Sequence, residues 1–432
     1  MSAALFQQFR KAISVQNAGD ISTSYLSITT RLNKDFWETE SDVRHCRQVG
    51  SYGRNTAIHG ISDLDMLFEL PWSVYSQYDT HDGNGQSKLL QAVKDSIQER
   101  YRNTKVRADG QVVVIEFKKY EVEVVPVFYD AKADEYTYPD TNNGGCWKIS
   151  KPHKEIAAMN DRNTESNRNL KHACKMVRSW KNQVGSPISG WLIDTLCHNF
   201  FGQTSKYNTL SYASYPELVA ELFEYLGSLP EQDYWLAPGS RQQVPAGDNF
   251  RPKAKKAGVR ARDALAADTD AKKIKLWRQI FGHSFPKAVE GTQRTLEATQ
   301  VRTTEEFIED KYSVDIKYSL KCDCEVTDTA GDKRALSQLA KIFFWLPVGR
   351  SLRFYVESFD VPPPFELKWK VRNVGPLAKT KGIRGQILED EGKYERRETT
   401  RFHGEHYVEC YAIKNDVCVA RTRVEVPIEN TP

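Results

Sequence analysis

Asp63 and Asp65, one residue apart, are the first side chains in the sequence whose types and spacing can do chemistry. They close the stretch GSYGRNTAIHGISDLD, Gly50 to Asp65, and lead into the apolar run MLFELP, Met66 to Pro71. If residues 62–70 form a strand, side chains two apart share a face, and the two carboxylates lie about 6–7 Å apart along it. Leu64 and Met66 then occupy the other face. Carboxylates so placed can hold a pair of Mg²⁺ ions, which in two-metal sites lie about 3.5–4 Å apart. At the start of the stretch, Gly50 lets backbone approach a phosphate closely, and Ser51 sets a hydroxyl beside it. Asp-x-Asp alone suits a solvated strand edge and Gly-Ser alone suits a turn. The combination at this spacing, followed by a buried strand, is far more specific.

A third carboxylate is offered by the segment 105–129, KVRADGQVVVIEFKKYEVEVVPVFY. Its β-branched and aromatic residues read as strands, with turns near Asp109-Gly110 and Lys118-Lys119. From Tyr120 to Phe128, Glu121 and Glu123 share one face, and Val122 and Val124 the other. If that strand pairs beside the aspartate strand, a carboxylate there completes a metal site; a solvated polar face is the plain alternative.

The elements that must position these groups follow from the surrounding pattern. Residues 1–36 read as two helices, with Leu5, Phe9, Ala12 and Ile13, then Tyr25, Ile28, Leu32 and Phe36, at helical spacing. Asp20 and Ser22 are candidate caps for the second. Residues 79–87 form a polar loop, and Lys88 to Tyr101 a helix. Residues 130–150 read as a loop over the site, with a small strand around Trp147 and Ile149, and His153 as a surface or capping residue. From Glu155 to Phe201 the pattern is helical. There Lys171, Lys175, Arg178 and Lys181 recur every three or four residues, a basic stripe on the exposed side. Such a stripe is a solvated face or, beside a metal site, a partner for phosphates. Amphipathic helices continue over 201–236, where Tyr207 suits core packing or base stacking. The first half of 237–273 reads as loop, RPKAKKAGVRAR is locally basic, and Ala271 to Phe281 is a helix.

After about residue 298 the chain alternates apolar and polar residues at period two, in short strands that indicate a β-sandwich of about 130 residues. Cys322, Cys324, Cys410 and Cys418 with His403 and His406 do not match a zinc spacing, and strand cysteines are commonly buried. In composition, 432 residues with 40% hydrophobic and 27% charged side chains describe a globular chain of two or three domains. The net charge of +4 balances 61 basic against 57 acidic residues, so charge alone does not mark a nucleic-acid binder. No apolar run approaches the ~18 residues of a membrane span. The N-terminus has no signal-peptide pattern, and eight irregularly spaced cysteines are no disulfide framework. The expectation is a cytoplasmic protein with reduced thiols and no membrane partner.

GSYGRNTAIHGISDLD resembles the signature G-S-x-G-R-G-T-x(4–5)-S-D-[IVL]-D of the polymerase-β-like nucleotidyltransferases. More narrowly it is similar to the oligoadenylate synthetase and cyclic GMP–AMP synthase branch, with its bacterial relatives, the CD-NTases of anti-phage CBASS defence. Asn55 stands where that family often has glycine, and asparagine tolerates the left-handed backbone. The resemblance implies that Asp63, Asp65 and Glu123 bind two Mg²⁺ ions (Mn²⁺ being an alternative) and carry catalysis. Glu123 falls at the acid of a hydrophobic-D-V-V-P element, with Glu121 the alternative ligand. It implies that Gly50 and Ser51 hold the donor triphosphate. KMVRSWK resembles R-L-V-K-x-W-x, placing Arg178 on the triphosphate, and SPISGWLIDTL resembles S-x-x-L-x-E-x-L, placing Ser189 there, with Asp194 where glutamate is usual. LKWKVRNVG, GIRGQI and HYVECYAIKNDVCVA resemble the adenylyl/guanylyl and SMODS C-terminal sensor domain, AGS-C.

The expected fold is α+β: a polymerase-β-like nucleotidyltransferase core with N-terminal helices (1–155), a helical domain completing the nucleotide cleft (156–298), and a C-terminal β-sandwich (299–432). The expected activity is synthesis of cyclic or short linear oligonucleotide second messengers from nucleoside triphosphates, ATP among them, read by a downstream effector. Transfer to an RNA or protein acceptor, and a non-enzymatic nucleotide sensor, are the rival readings.

Overall fold

The computed structural model describes residues 2–15, 18–60, 63–287, 306–339, 345–374, 378, 384–401 and 403–429. The chain forms two compact units, residues 1–288 and 289–432.

In the first unit, α1 (Ser2–Ile13) and α2 (Ala18–Trp37) lead to β1 (Cys46–Gln48), the one-turn α3 (Gly50–Gly53) and β2 (Asp63–Glu69). There follow α4 (Trp72–Asp79), α5 (Gly85–Arg100), β3 (Lys105–Asp109), β4 (Val112–Glu116), β5 (Glu121–Asp130), β6 (Glu135–Asp140) and β7 (Cys146–Ser150). The strands make a sheet of order β1-β2-β5-β4-β3, extended by β6 on β5 and β7 on β6. Only β2 and β5 run parallel; every other pairing in the sheet is antiparallel. Alternation explains the two faces. Leu64, Met66 and Phe68 of β2 and Val122 and Val124 of β5 pack with Leu89, Leu90, Val93 and Ile97 of α5 and Ile28 and Leu32 of α2. The intervening residues, Asp63, Asp65, Glu121 and Glu123, are half-buried on the opposite face.

Two expectations need correction here. Helix α2 already begins at Ala18, so Asp20 and Ser22 lie within it rather than at its cap. The segment 130–150 is not mainly loop: β7 falls at the expected small strand around Trp147 and Ile149, and β6 pairs with it, Tyr136 opposite Ser150 and Asp140 opposite Cys146. His153 ties this hairpin down, with Nδ1 against Asp134 at 2.5 Å and Nε2 against the Tyr136 hydroxyl at 3.0 Å.

Helices α6 (Pro152–Glu165), α7 (Asn169–Val184), α8 (Gly190–Gly202), α9 (Tyr215–Ser228), α10 (Arg251–Ala266) and α11 (Asp270–Phe281) form a second layer, with a small hairpin of β8 (Tyr234–Leu236) and β9 (Gln243–Pro245). Trp180, Leu192, Phe201, Phe223 and Trp277 share its core, and α1 joins it through Phe6 and Phe9. Phe6 meets Trp277 and Phe285 edge-on, ring centroids 5.2 and 5.4 Å apart. Tyr207 is 1% exposed in this core and its hydroxyl is bound to Glu221, so packing is its role.

Helix α10 begins at Arg251, inside the stretch that reads as loop. Its buried face is written in Ala254, Ala257, Gly258, Ala261 and Ala264, which carry almost no hydropathy signal but let it lie close on α9. The basic stripe is also corrected. Lys171, Lys175 and Arg178 are 4%, 8% and 3% exposed, because α7 runs through the centre of the layer.

The second unit is a sandwich. One sheet has the order β10-β18-β17-β14-β15 and the other β12-β11-β13-β16, where β10 is Ser313–Val314, β11 Leu320–Thr327, β12 Lys333–Ala335, β13 Ser351–Phe359, β14 Glu366–Arg372, β15 Ile387–Glu389, β16 Glu395–Thr399, β17 Gly404–Lys414 and β18 Val417–Ile428. Cys324 and Phe354 of one sheet pack against Trp369, Cys410 and Ala420 of the other. Asn415 and Asp416, at φ 51° and 59°, make the two-residue turn between β17 and β18, the positive-φ pattern that matches strand twist.

Candidate active site

Asp63 and Asp65 stand opposite Glu121 and Glu123 in the parallel register of β2 and β5. Neighbouring strands lie about 4.8 Å apart, so four carboxylates share one small patch of the sheet face. Burial pushes Asp65 up to about 6, with Asp63 adding repulsion and Arg54 and the Ser51 amide opposing it. Glu123 rises further, to about 7, through burial and then the charges of Asp65, Asp63 and Glu121. Two neighbouring carboxylates titrating near neutrality mark a cluster built to face positive charge.

The preceding turn is fitted to this patch. Gly50 has φ +59°, and a Cβ on it would lie 1.8 Å from Asp65 Oδ2. The Val49 amide donates to the Asp65 carbonyl at 3.0 Å, and the Ser51 amide donates to the Asp65 carboxylate. The Thr56 and Ala57 amides both donate to the Ser51 carbonyl, which curls the chain back under the turn. Asn55 sits at φ 56°, the left-handed conformation its place in the motif demands.

A cavity of about 630 Å³ opens over the patch, within the usual range for small-molecule sites. Gly50, Ser51, Asp63, Asp65 and Arg178 line it. Glu123 does not, although Val125 and Val127, two and four residues on along the same face, do. Ser189 also lies outside the lining; its hydroxyl oxygen accepts the Leu192 amide at 3.1 Å and caps α8.

Arg178 is not a free phosphate ligand. Its guanidinium donates to both oxygens of Asp194, at 2.5 and 3.0 Å, and to the Gly190 carbonyl at 2.9 Å. Arg54, from the glycine-rich turn, donates to the same carboxylate at 2.8 Å, and Thr56 Oγ1 joins at 3.0 Å. Burial alone would neutralise Asp194, but the two arginines outweigh it and hold the carboxyl below its usual range. Asp194 therefore bolts the glycine-rich turn to α7 and α8. Its position in the α8 pattern was visible in the sequence; its partners, 16 and 140 residues away, were not.

Lys181, one turn beyond Arg178, is the half-buried cation of this cleft. Burial and Arg178 depress its pKa, while Asp63 opposes them. Its place in the basic stripe was the only signal for it.

Among the described residues, no three His, Cys, Asp or Glu side chains are gathered closely enough to enclose an ion. The donors still fit a hard divalent cation. They are carboxylate oxygens on rigid strands, and their repulsion is what a cation relieves.

The sheet and the helical layer have the polymerase-β-like fold. Residues 1–163 match the family model of the Second Messenger Oligonucleotide or Dinucleotide Synthetase domain, SMODS, and residues 302–429 that of the Adenylyl/Guanylyl and SMODS C-terminal sensor domain. Residues 1–163 thus carry a SMODS-type domain and residues 302–429 a sensor domain of the kind found with it. A cyclic AMP-AMP-AMP synthase of Acinetobacter sp. is 23% identical over 262 residues, covering 56% of this chain and 73% of that protein. The CdnC:HORMA-deltaN complex of E. coli MS115-1 includes a chain with TM-score 0.50 and 15% identity, covering 66% of this chain and 98% of that one. The apo form of Vibrio cholerae DncV has TM-score 0.47 and 16% identity, covering 56% and 69%.

Proposed function

We propose that the protein joins nucleoside triphosphates into cyclic or short linear oligonucleotide second messengers, in a Mg²⁺-dependent reaction serving anti-phage signalling in the cytoplasm. The observation that carries this reading is the register of Asp63 and Asp65 against Glu121 and Glu123, beneath a turn with room for a triphosphate. No described helix is long and apolar enough to cross a membrane. The finer partition into a nucleotidyltransferase core (1–155), a helical domain (156–298) and a sandwich (299–432) belongs to the same proposal.

Asp63, Asp65 and Glu123 would hold two divalent ions, which when bound lower the pKa of the attacking hydroxyl and neutralise the leaving pyrophosphate. Gly50 and Ser51 present backbone and hydroxyl to the β- and γ-phosphates, and Lys181, which lines the same cavity, adds a positive charge. Arg178 and Arg54 act through Asp194, holding the turn and the α8 start in place. Glu121 or Glu123 accepts the proton of the hydroxyl. The acceptor is proposed to be a second nucleotide, in line with the similarity to the cyclic AMP-AMP-AMP synthase of Acinetobacter sp..

The test is incubation of the full chain with each radiolabelled triphosphate and Mg²⁺ or Mn²⁺. A small phosphatase-resistant product is expected for cyclisation, and a ladder for linear synthesis. The variant combining Asp63→Asn with Asp65→Asn should fold and make neither. Product formation by that variant refutes the two-metal assignment, and a requirement for added RNA or protein would favour transfer to a polymer.

A further inference from the structure

The turn 237–242 between β8 and β9 lies outside the lining of the cleft, yet it holds one of the cleft's rims. That rim is the corner where β7 ends and α6 begins, and Ser150, Pro152 and Glu155 on it line the cavity. Among the described residues β7 pairs only with β6, which leaves its other edge without a strand. Gln242 fills that gap at the corner. Its Oε1 accepts the Lys151 amide at 3.1 Å, and its Nε2 donates to the Ile149 carbonyl at 2.8 Å. These are the two bonds a neighbouring strand would make on either side of Ser150.

The same turn is fixed to α6. Ser240 Oγ donates to Glu155 Oε1 at 3.0 Å and accepts the Gln242 amide at 3.3 Å. Gly239, at φ +72°, passes so close that a Cβ on it would lie 2.0 Å from the Lys154 carbonyl oxygen. Glu155 in turn meets Arg54 at 3.4 Å, which links the turn to the Asp194 cluster.

Ser150 is the group this arrangement presents. Its hydroxyl has no hydrogen-bond partner among the described residues, and holding the backbone on both sides fixes its Cβ direction. Along β5, Glu121 and Glu123 come first, Val125 and Val127 follow on the cavity wall, and β6 and β7 join at the far end. A triphosphate with its phosphates at the carboxylates therefore extends its nucleoside half toward Ser150.

We propose that Gln242 is a positioning residue of the cleft: it touches no substrate, but by bracketing Ser150 it holds that hydroxyl against the nucleoside half of the bound triphosphate. The inference rests on the reading of the cleft as the triphosphate site.

The test is calorimetric titration of the full chain with α,β-methylene-ATP and Mg²⁺, a probe whose α–β bridge cannot be cleaved. Ser150→Ala and Gln242→Ala should each weaken binding about 2- to 10-fold with the melting temperature preserved. The double variant should bind no more weakly than the weaker single one, because both changes remove the same contact. Ser150→Thr keeps the hydroxyl and should bind within about twofold. In synthesis the loss should fall on KM and leave kcat unchanged. Losses that multiply in the double variant, or undiminished binding by either alanine variant, overturn the proposal. So does a Gln242→Ala variant that melts earlier and binds the probe normally, since the turn would then only brace the fold. If the binding losses appear but no triphosphate yields an oligonucleotide, the proposed activity fails and this inference stands; if synthesis proceeds and binding ignores both substitutions, only this inference fails.

Discussion

Gly50 and Asp65 share one volume: the position a Cβ would take on Gly50 lies 1.8 Å from Asp65 Oδ2 and 2.6 Å from its Cγ. The glycine that opens the motif is therefore what allows the carboxylate that closes it to sit under the turn. The two ends of a sixteen-residue stretch are a single packing unit.

Gly50→Ala should accordingly remove most activity. The methyl must displace Asp65, and the left-handed φ adds about 1–2 kcal/mol of strain. Displacing a reacting group by an ångström costs about 100-fold in rate. Product formation over time, with circular dichroism to confirm folding, checks this; activity within twofold of the unaltered protein would contradict it.

Asp194→Ala should be among the most destabilising single changes in the first unit. It removes the carboxylate that Arg178 binds and leaves Arg54 only its longer contact with Glu155, at 3.4 Å, and breaking a buried ion pair from one side costs about 3–5 kcal/mol. The urea midpoint should fall accordingly. Arg178→Ala should behave similarly, so its loss of activity reports on positioning before it reports on phosphate contact.

Lys181→Ala should leave stability nearly unchanged and raise the KM for triphosphate. A lost charge-assisted contact is worth about 1.5–3 kcal/mol, or about 10- to 100-fold. An unchanged KM with lowered kcat would instead assign the lysine to the transition state.

The raised pKa of Asp65 carries a stability cost with a definite sign. Its folded value of about 6 exceeds the ordinary 3.8, so the native state binds the proton more tightly than the unfolded chain. The penalty is absent below pH 4, grows as pH rises through 4–6, and is complete above 7. In chelator, Asp65→Asn should therefore stabilise the protein at pH 8 by about 1–3 kcal/mol and have little effect at pH 4. Thermal melts at both pH values decide the matter, and equal destabilisation at both would refute the cost of burying this charge.

Local chemistry determined much of this protein in advance. Asp63 and Asp65 share a face because strand geometry fixes the alternation, and the same rule put Glu121 and Glu123 on one face of β5. Asn55 was readable because positive φ restricts residue choice. Local rules reach only a few residues, and the failures mark that limit. The basic spacing in α7 looked solvated because periodicity reports which residues align, not which side of a helix layer is covered. Helix α10 was partly hidden because alanine and glycine pack closely without a hydropathy signal. Only the tertiary structure placed Asp65 opposite Glu123 and brought Arg54 to Asp194 across 140 positions. Those pairings depend on long-range register and on the low dielectric of a buried cleft, where a charge must find its partner or lose its ionisation.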